Sequence, residues 1–141
     1  MNLRTVLRVG IALAVIAPAS AEAVRIAVIV GRTSFIGRVT TDELHELYLR
    51  RRRVWRNGAR ALPVNLPPGT PARERFSVLV LGRRVDDLLT YWTARWFEGI
   101  MPPPVLATPA AVCAFVSAEP AAIGYVPADD TGECRTLLLL E

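Results

Sequence analysis

The sequence predicts an α/β domain in which helices flank a central mixed sheet, and three observations lead to this prediction. A β-branched run over residues 24–30, bounded by Gly31, is typical of a buried strand. Apolar runs at 122–126 and 136–140 predict two further strands near the end of the sequence. The segments between these runs carry helix-start signals and helical spacing of apolar residues. Strands interleaved with helices in this way indicate a sheet covered on both faces.

The first helix is predicted from a capping box. Thr40 stands at the expected N-cap, and Glu43 follows three residues later, where each side chain can bond the other's backbone amide. Leu44, Leu47 and Tyr48 then recur at helical spacing. We therefore expect these three side chains to face the core.

An edge strand and a second helix follow. Residues 61–66 read as a strand, and Pro63 favours an edge strand or a strand start, because proline has no N–H to donate in a central position. Thr70–Pro71 is a typical helix start, with threonine at the cap and proline at the first helical position. We expect this helix to end at Gly82.

Two more helices precede the last strands. Thr108–Pro109 repeats the cap-then-proline signal and predicts a helix to about residue 118. A helix is also predicted over residues 85–97, with Gly99 just beyond its end. Its spacing predicts that five apolar side chains face inward: Val85, Leu88, Leu89, Trp92 and Trp96.

The N-terminus has the three parts of an export signal. Arg4 and Arg8 give a positive start, residues 9–17 form a short apolar run, and residues 19–21 supply a small-residue cleavage site. The apolar run is well short of the roughly 20 residues that a membrane-spanning helix needs. We therefore expect a signal peptide over residues 1–21.

Removal of this signal leaves one predicted domain, residues 22–141, in the periplasm or outside the cell, with no stable membrane span. An uncleaved N-terminal anchor is the alternative. The predicted signal takes two arginines and no acid with it, so the formal net charge falls from +4 to +2. A balance this close to neutral makes nucleic acid an unlikely partner. With 52% hydrophobic and 21% charged residues, the chain is expected to be globular.

The sequence contains two cysteines, Cys113 and Cys134. In an oxidising compartment a pair of cysteines usually forms one disulfide, although two separate buried thiols are the alternative. Two cysteines and one histidine do not supply the four ligands of a structural zinc site. No metal or other cofactor is predicted.

Three motifs, taken in order, resemble phosphate-type periplasmic substrate-binding proteins. The first spans residues 41–58, from Thr-Asp-Glu-Leu through Leu-Tyr-Leu to Trp-Arg-Asn-Gly. The second is Gly69–Thr70 followed by Phe76, similar to that family's Ser-Gly-Thr helix start. The third, residues 119–126, is similar to its Pro-Gly-Ala-Ile-Gly-Tyr-Val strand. The resemblance implies the type II periplasmic-binding-protein-like fold, and the length suits a single lobe of it.

The resemblance also implies a ligand site for phosphate or a similar oxyanion. Backbone N–H groups at the Gly69–Thr70 helix start favour an anion, and Arg73 in the first turn could add a bidentate contact. A second candidate, Thr33 and Ser34, follows the first strand, where α/β sheets often bind ligands. A capped helix and a plain turn are the structural alternatives. Residues 65–68, Asn-Leu-Pro-Pro, lack the serine and charged residues that the family carries there.

The predicted function is therefore a non-enzymatic secreted binding protein. His45 is the single histidine, and no second histidine completes a zinc-protease motif. The alternative function is an envelope protein-interaction module that uses the open face of the lobe to bind a transporter, sensor or secretion partner. The arginines at 50–53, 56 and 60 could form a basic patch for an anionic lipid, nucleic acid or an acidic partner, or only a solvated helix end.

Overall fold

The computed structural model describes residues 12–15 and 23–141. Most of the predicted signal peptide, and its cleavage point, lie outside the described residues. The elements, in chain order, are β1 (Ile26–Val30), α1 (Thr41–Tyr48), β2 (Leu62–Pro63), α2 (Pro71–Phe76), α3 (Leu88–Phe97), α4 (Pro109–Ala118), β3 (Ala122–Pro127) and β4 (Arg135–Leu140). The helix α2 continues without a break into a π-helical turn, Ser77–Leu81. Within the described residues, no helix has both the length and the apolar character needed to cross a membrane.

The four strands form one mixed sheet in the order β2-β3-β1-β4. β1 is antiparallel to both of its neighbours, while β2 is parallel to β3. All five residues of β1 are buried, as expected of a strand with a neighbour on each side and helices on each face. The predicted α/β fold with a mixed central sheet is confirmed. β2 is shorter than the predicted strand 61–66, but it lies at an edge, as Pro63 indicated.

Successive residues of β3 point to opposite faces of the sheet, and each face carries its own helices. On one face, Gly124 lies against Val112 and Val116 of α4, where even one added carbon would collide with the Val112 side chain. On the other face, the Tyr125 ring stacks on Phe76 of α2, with ring centroids 3.8 Å apart and planes 4° from parallel. The sheet is therefore covered on both sides.

The capping box at α1 is present as predicted. The Glu43 N–H donates to Thr40 Oγ1 at 3.1 Å, and the Thr40 N–H donates to Glu43 Oε2 at 3.0 Å. Leu44, Leu47 and Tyr48 are buried. The Tyr48 hydroxyl donates to the Val64 carbonyl at 2.9 Å, which ties α1 to the chain just after β2.

The predicted inward face of α3 is only partly correct: Leu88 is buried and Val85 and Trp92 are partly buried, but two of the five side chains are exposed. Trp96 is 60% exposed and Leu89 is 73% exposed. The buried side is rotated, because Tyr91 donates to the Leu49 carbonyl at 2.6 Å and Arg95 donates to the Arg50 carbonyl at 3.2 Å. The helix also begins three residues later than predicted, at Leu88. Two polar anchors at i and i+4 therefore orient this helix together with Leu88 and Trp92, and Trp96 is left exposed.

The disulfide between Cys113 and Cys134 is confirmed, with a Cα–Cα distance of 5.8 Å. It joins α4 to the loop that leads into β4. Thr108 caps α4 as predicted, because its Oγ1 accepts the Ala111 N–H at 3.1 Å.

Candidate oxyanion site

The predicted anion loop lies at one end of the sheet. It follows β2, and since β2 is parallel to β3 and antiparallel in direction to β1, the loop lies beside the end of β3 and the start of β1. A cavity of about 570 Å³, here called the loop cavity, opens at this point. Its lining residues come from the loop, from the two strand ends and from the start of α4: 23–25, 66–67, 70–72, 107, 109 and 127–129.

The loop is shaped by Gly69 and Thr70. Gly69 has a φ of 86°, in the left-handed region that glycine adopts without strain. The Thr70 hydroxyl donates to the Pro67 carbonyl at 2.7 Å and makes no side-chain capping bond to α2. Thr70 therefore occupies the predicted cap position, but its hydroxyl closes the loop and does not point a free donor at a ligand.

The backbone amide of Gly69 already binds an anionic oxygen. It donates to Glu74 Oε1 at 2.9 Å. The amides of Ala72 and Arg73 donate to no acceptor among the described residues, as is usual for the first turn of a helix. Ala72 also lines the loop cavity. The helix start thus combines one amide bonded to an internal carboxylate with two amides that have no acceptor among the described residues, and of these two residues only Ala72 lines the loop cavity.

Arg73 stabilises the loop from inside the core. It is 8% exposed, and its Nη1 donates to the Leu66 carbonyl at 2.8 Å. Beside it, the Tyr125 hydroxyl donates to Asn65 Oδ1 at 2.9 Å and accepts the Leu66 N–H at 3.3 Å. Burial raises the pKa of the Tyr125 hydroxyl well above its ordinary value, although the Arg73 charge opposes this rise. Arg73 is not among the residues that line the loop cavity, so its role in this geometry is to position the backbone.

Thr33 and Ser34 lie at the opposite end of the sheet. They follow the end of β1, which runs antiparallel to β3, and the Ser34 hydroxyl donates to the Pro120 carbonyl at 2.7 Å, just before β3 begins. The Ser34 Oγ also accepts the Ile36 N–H at 3.2 Å, as in a local turn. The structure therefore does not bring Thr33 and Ser34 together with Gly69 and Thr70 around one small ligand.

Three charged residues in or beside the loop cavity were not identified from the sequence. Arg25 and Asp129 line it, and Glu74 accepts the bond from the Gly69 amide beside it. A carboxylate in the first turn of a helix is itself a signal, because such groups interact favourably with the free amides there. Arg25 carried no signal, since it lies at the start of a strand and reaches the loop cavity only through the pairing of β1 with β3.

His45 also has a structural role. Its Nδ1 lies 2.9 Å from the Val80 carbonyl oxygen, which joins α1 to the π-helical turn. Among the described residues, no three His, Cys, Asp or Glu side chains cluster in a way that could hold a metal ion.

The described chain has an α/β fold like that of one lobe of solved type II periplasmic-type binding proteins. No protein family profile and no curated protein matches the sequence. Among solved structures, the chain is similar to a protein from Clostridium perfringens described as a phosphate ABC transporter substrate-binding protein with bound phosphate. The TM-score is 0.65 and the identity is 16%, over 83% of this chain and 46% of that one.

Two further structures are similar in the same way. An ABC-type phosphate transport receptor from Vibrio cholerae aligns with a TM-score of 0.64 and 15% identity, over 82% of this chain and 46% of its own. PstS from Borrelia burgdorferi aligns with a TM-score of 0.58 and 14% identity, over 81% of this chain and 47% of its own. The chain thus spans about half the length of each. At these identities the likeness confirms the predicted resemblance at the level of the fold.

Proposed function

We propose that this chain is a non-enzymatic binding module that takes an oxyanion, such as inorganic phosphate, at the Gly69–Thr70 helix start, beside the loop cavity. Two things support the proposal: the fold is similar to that of a phosphate-bound protein, and the loop presents backbone amides at a helix start. The envelope protein-interaction module remains an alternative from the sequence, and no contact among the described residues favours it.

The observation that carries the proposal is the bond from the Gly69 amide to the Glu74 carboxylate, at 2.9 Å. A carboxylate oxygen and a phosphate oxygen present the same chemistry to an N–H donor. The amide is therefore directed at a position where an anionic oxygen is stable. Glu74 competes for that position, so an incoming anion has to replace its carboxylate, and we expect the affinity to be modest.

Arg25 supplies the cation at this site. Its Nη2 lies 3.1 Å from Glu141 Oε1, and both side chains are more than half exposed. An exposed pair of this kind contributes about 1 kcal/mol or less. Arg25 can therefore leave Glu141 and turn toward an anion in the loop cavity at little cost.

Calorimetric titration with phosphate and with sulfate tests the proposal. We expect weak binding to the unmodified protein, and about tenfold tighter binding to Glu74→Gln, because the variant removes the competing charge and keeps the side chain's size. Arg25→Gln should weaken binding. Glu119→Gln, which changes an exposed carboxylate elsewhere, is the matched control and should leave the affinity unchanged. Absence of heat with both the unmodified protein and Glu74→Gln would contradict an oxyanion site here.

We also propose that the protein acts in the periplasm or outside the cell. The Cys113–Cys134 disulfide supports this location, because disulfides persist mainly in oxidising compartments. N-terminal sequencing of the protein recovered from a cell-envelope fraction tests it. A mature chain beginning at Glu22 is expected, and a chain that keeps residues 1–21 would contradict the predicted cleavage.

A further inference from the structure

The arginine-rich segment after α1 divides into two groups with different partners. Three of its members are ion-paired on the surface: Arg51 to Glu46 at 3.7 Å, and Arg52 and Arg56 to Glu43 at 3.6 Å and 3.0 Å. The other three, Arg50, Arg53 and Arg60, form no ion pair within the described part of the chain. All three of these line one cavity of about 830 Å³, here called the arginine groove.

The backbone holds these three residues together. Val54 and Arg60 form an antiparallel bridge, and the Ala61 N–H donates to the Arg53 carbonyl at 2.9 Å. Arg50 has a φ of 58°, and it is the one non-glycine residue with a positive φ among those described. Arg50 directly follows the C-cap of α1, Leu49, where a left-handed residue commonly ends a helix, and this conformation sets the direction in which the chain leaves α1.

The arrangement is electrostatically unsatisfied. Burial, followed by the charges of Arg60 and Arg53, lowers the pKa of the Arg50 guanidinium. The Arg50 Nε is buried and has no hydrogen-bond partner among the described residues. Like charges at one site, with a buried donor left unused, are unfavourable unless an anion completes the site.

Most of the other residues that line the arginine groove are apolar. The apolar floor of the groove consists of Leu62, Pro63 and Val64, at the edge of the sheet, and Phe115 of α4. Ile100 and Met101 also line the groove, and Met101 is 53% exposed. The volume falls within the range of about 300–1,000 Å³ typical of small-ligand sites, which are mostly apolar with a few polar groups that orient the ligand. No residue lines both this groove and the loop cavity.

We propose that the arginine groove binds an amphipathic anion, with a carboxylate or phosphate head between Arg50, Arg53 and Arg60 and an apolar chain along the floor. Guanidinium groups bind carboxylates and phosphates through paired hydrogen bonds, and the aliphatic floor suits a hydrocarbon chain. A purely ionic partner would leave that floor exposed to water, and a purely apolar one would leave three charges unpaired. The anion can come from a free amphiphile or from a lipid in a membrane surface.

Titration with decyl phosphate, below its aggregation concentration, tests this proposal. We expect measurable binding of decyl phosphate, with inorganic phosphate and decanol each at least tenfold weaker at this site. The double variant Arg53→Gln/Arg60→Gln should lose at least tenfold in affinity for decyl phosphate. Arg51→Gln is the matched control, because Arg51 is exposed and lies outside the arginine groove, and it should bind as the unmodified protein does. Unfolding curves of each variant show whether the fold is kept.

A second variant tests the apolar half of the site. Met101→Glu places a carboxylate on a lining residue that is already half exposed, so the fold should tolerate it while decyl phosphate binding is lost. Equal binding of decanol and decyl phosphate, or unchanged binding by the double variant, would overturn the proposal. Since neither Arg53 nor Met101 lines the loop cavity, the Glu74→Gln titration succeeds or fails independently.

Sedimentation with vesicles separates the two sources of the anion. If the source is a membrane surface, the protein sediments with vesicles of phosphatidylglycerol and not of phosphatidylcholine, and the double variant stays in the supernatant. If the source is a free amphiphile, decyl phosphate binds and neither vesicle sediments the protein.

Discussion

Arg73 Nη1 donates to the Leu66 carbonyl oxygen at 2.8 Å, and this bond ties the first turn of α2 to the loop from which the helix begins. Both residues are buried. The loop cavity is thus held by a cation that does not line it, and the loop's shape depends on a bond inside the core.

Replacing Arg73 should therefore destabilise the fold. Arg73→Met keeps most of the apolar volume but leaves the buried Leu66 carbonyl without its donor, which costs about 1–3 kcal/mol. Urea unfolding measures this loss. Arg84→Met is the control, because Arg84 is exposed and lies 3.9 Å from Asp86, and it should change stability by less than about 0.5 kcal/mol. Equal midpoints for the two variants would show that the buried bond contributes nothing.

The close packing of α4 on β3 makes Gly124 sensitive to any added side chain. Gly124→Ala places a carbon into the Val112 side chain, and such overpacking costs about 1–3 kcal/mol. The cost should be partly recovered in Gly124→Ala/Val112→Ala, since the second change makes room for the first. Gly37→Ala, where nothing lies within 4 Å of an added carbon, should be nearly neutral. Additive losses in the double variant would show that the two residues do not compete for space.

The Cys113–Cys134 disulfide should contribute to stability. It closes a loop with a sequence separation of 21 residues, for which chain entropy gives about 3 kcal/mol. Thermal unfolding with and without a reductant should therefore differ for the unmodified protein. The variant Cys113→Ser/Cys134→Ser should unfold at the lower temperature in both conditions. A reductant effect that persists in this variant would have another cause.

The capping box of α1 predicts an acid-sensitive contribution to stability. The hydrogen bond from the Thr40 amide lowers the pKa of Glu43; burial opposes this, and the charges of Arg56 and Arg52 add to the lowering. A lowered pKa in the folded state stabilises the fold above the ordinary glutamate value of about 4.3, and the contribution is lost as the pH falls through the lower, folded value.

The stability difference between the unmodified protein and Glu43→Gln should therefore be constant at neutral pH and shrink below about pH 4.3. Urea midpoints across this range measure it. Arg51→Gln, which leaves the capping box intact, should keep the pH dependence of the unmodified protein. A Glu43→Gln difference that does not change with pH would contradict the assigned pKa shift.

Local signals predicted the fold where the chain's own neighbours decide the structure. Thr40 with Glu43, and Thr108 with Pro109, are such pairs, and both helices begin where these residues indicate. The buried face of α3 could not be predicted from local signals alone. Its orientation depends on bonds from Tyr91 and Arg95 to carbonyls of residues 49 and 50, about forty residues earlier, which no spacing within the helix reveals.

The candidate site shows the same distinction between features that local sequence predicts and features that depend on tertiary contacts. Local sequence predicts the Gly69–Thr70 helix start. The position of Ser34 relative to that helix start depends on whether β1 runs parallel or antiparallel to β3. Because it is antiparallel, the end of β1 points away from the loop cavity. The place of Arg73 in the first turn predicts a ligand contact, whereas its burial follows from tertiary packing against Tyr125 and Leu66.

The segment that pairs with Asn65, residues 104–106, limits which further strands can join the sheet. The Asn65 N–H donates to the Pro104 carbonyl and the Asn65 carbonyl accepts the Leu106 N–H, both at 2.8 Å, so this segment occupies the open side of the edge strand. Residues 102–104 are all proline and offer no N–H to a further strand. A strand from another molecule therefore finds no template on this side, and edge-to-edge aggregation of the sheet is blocked there without any charged residue.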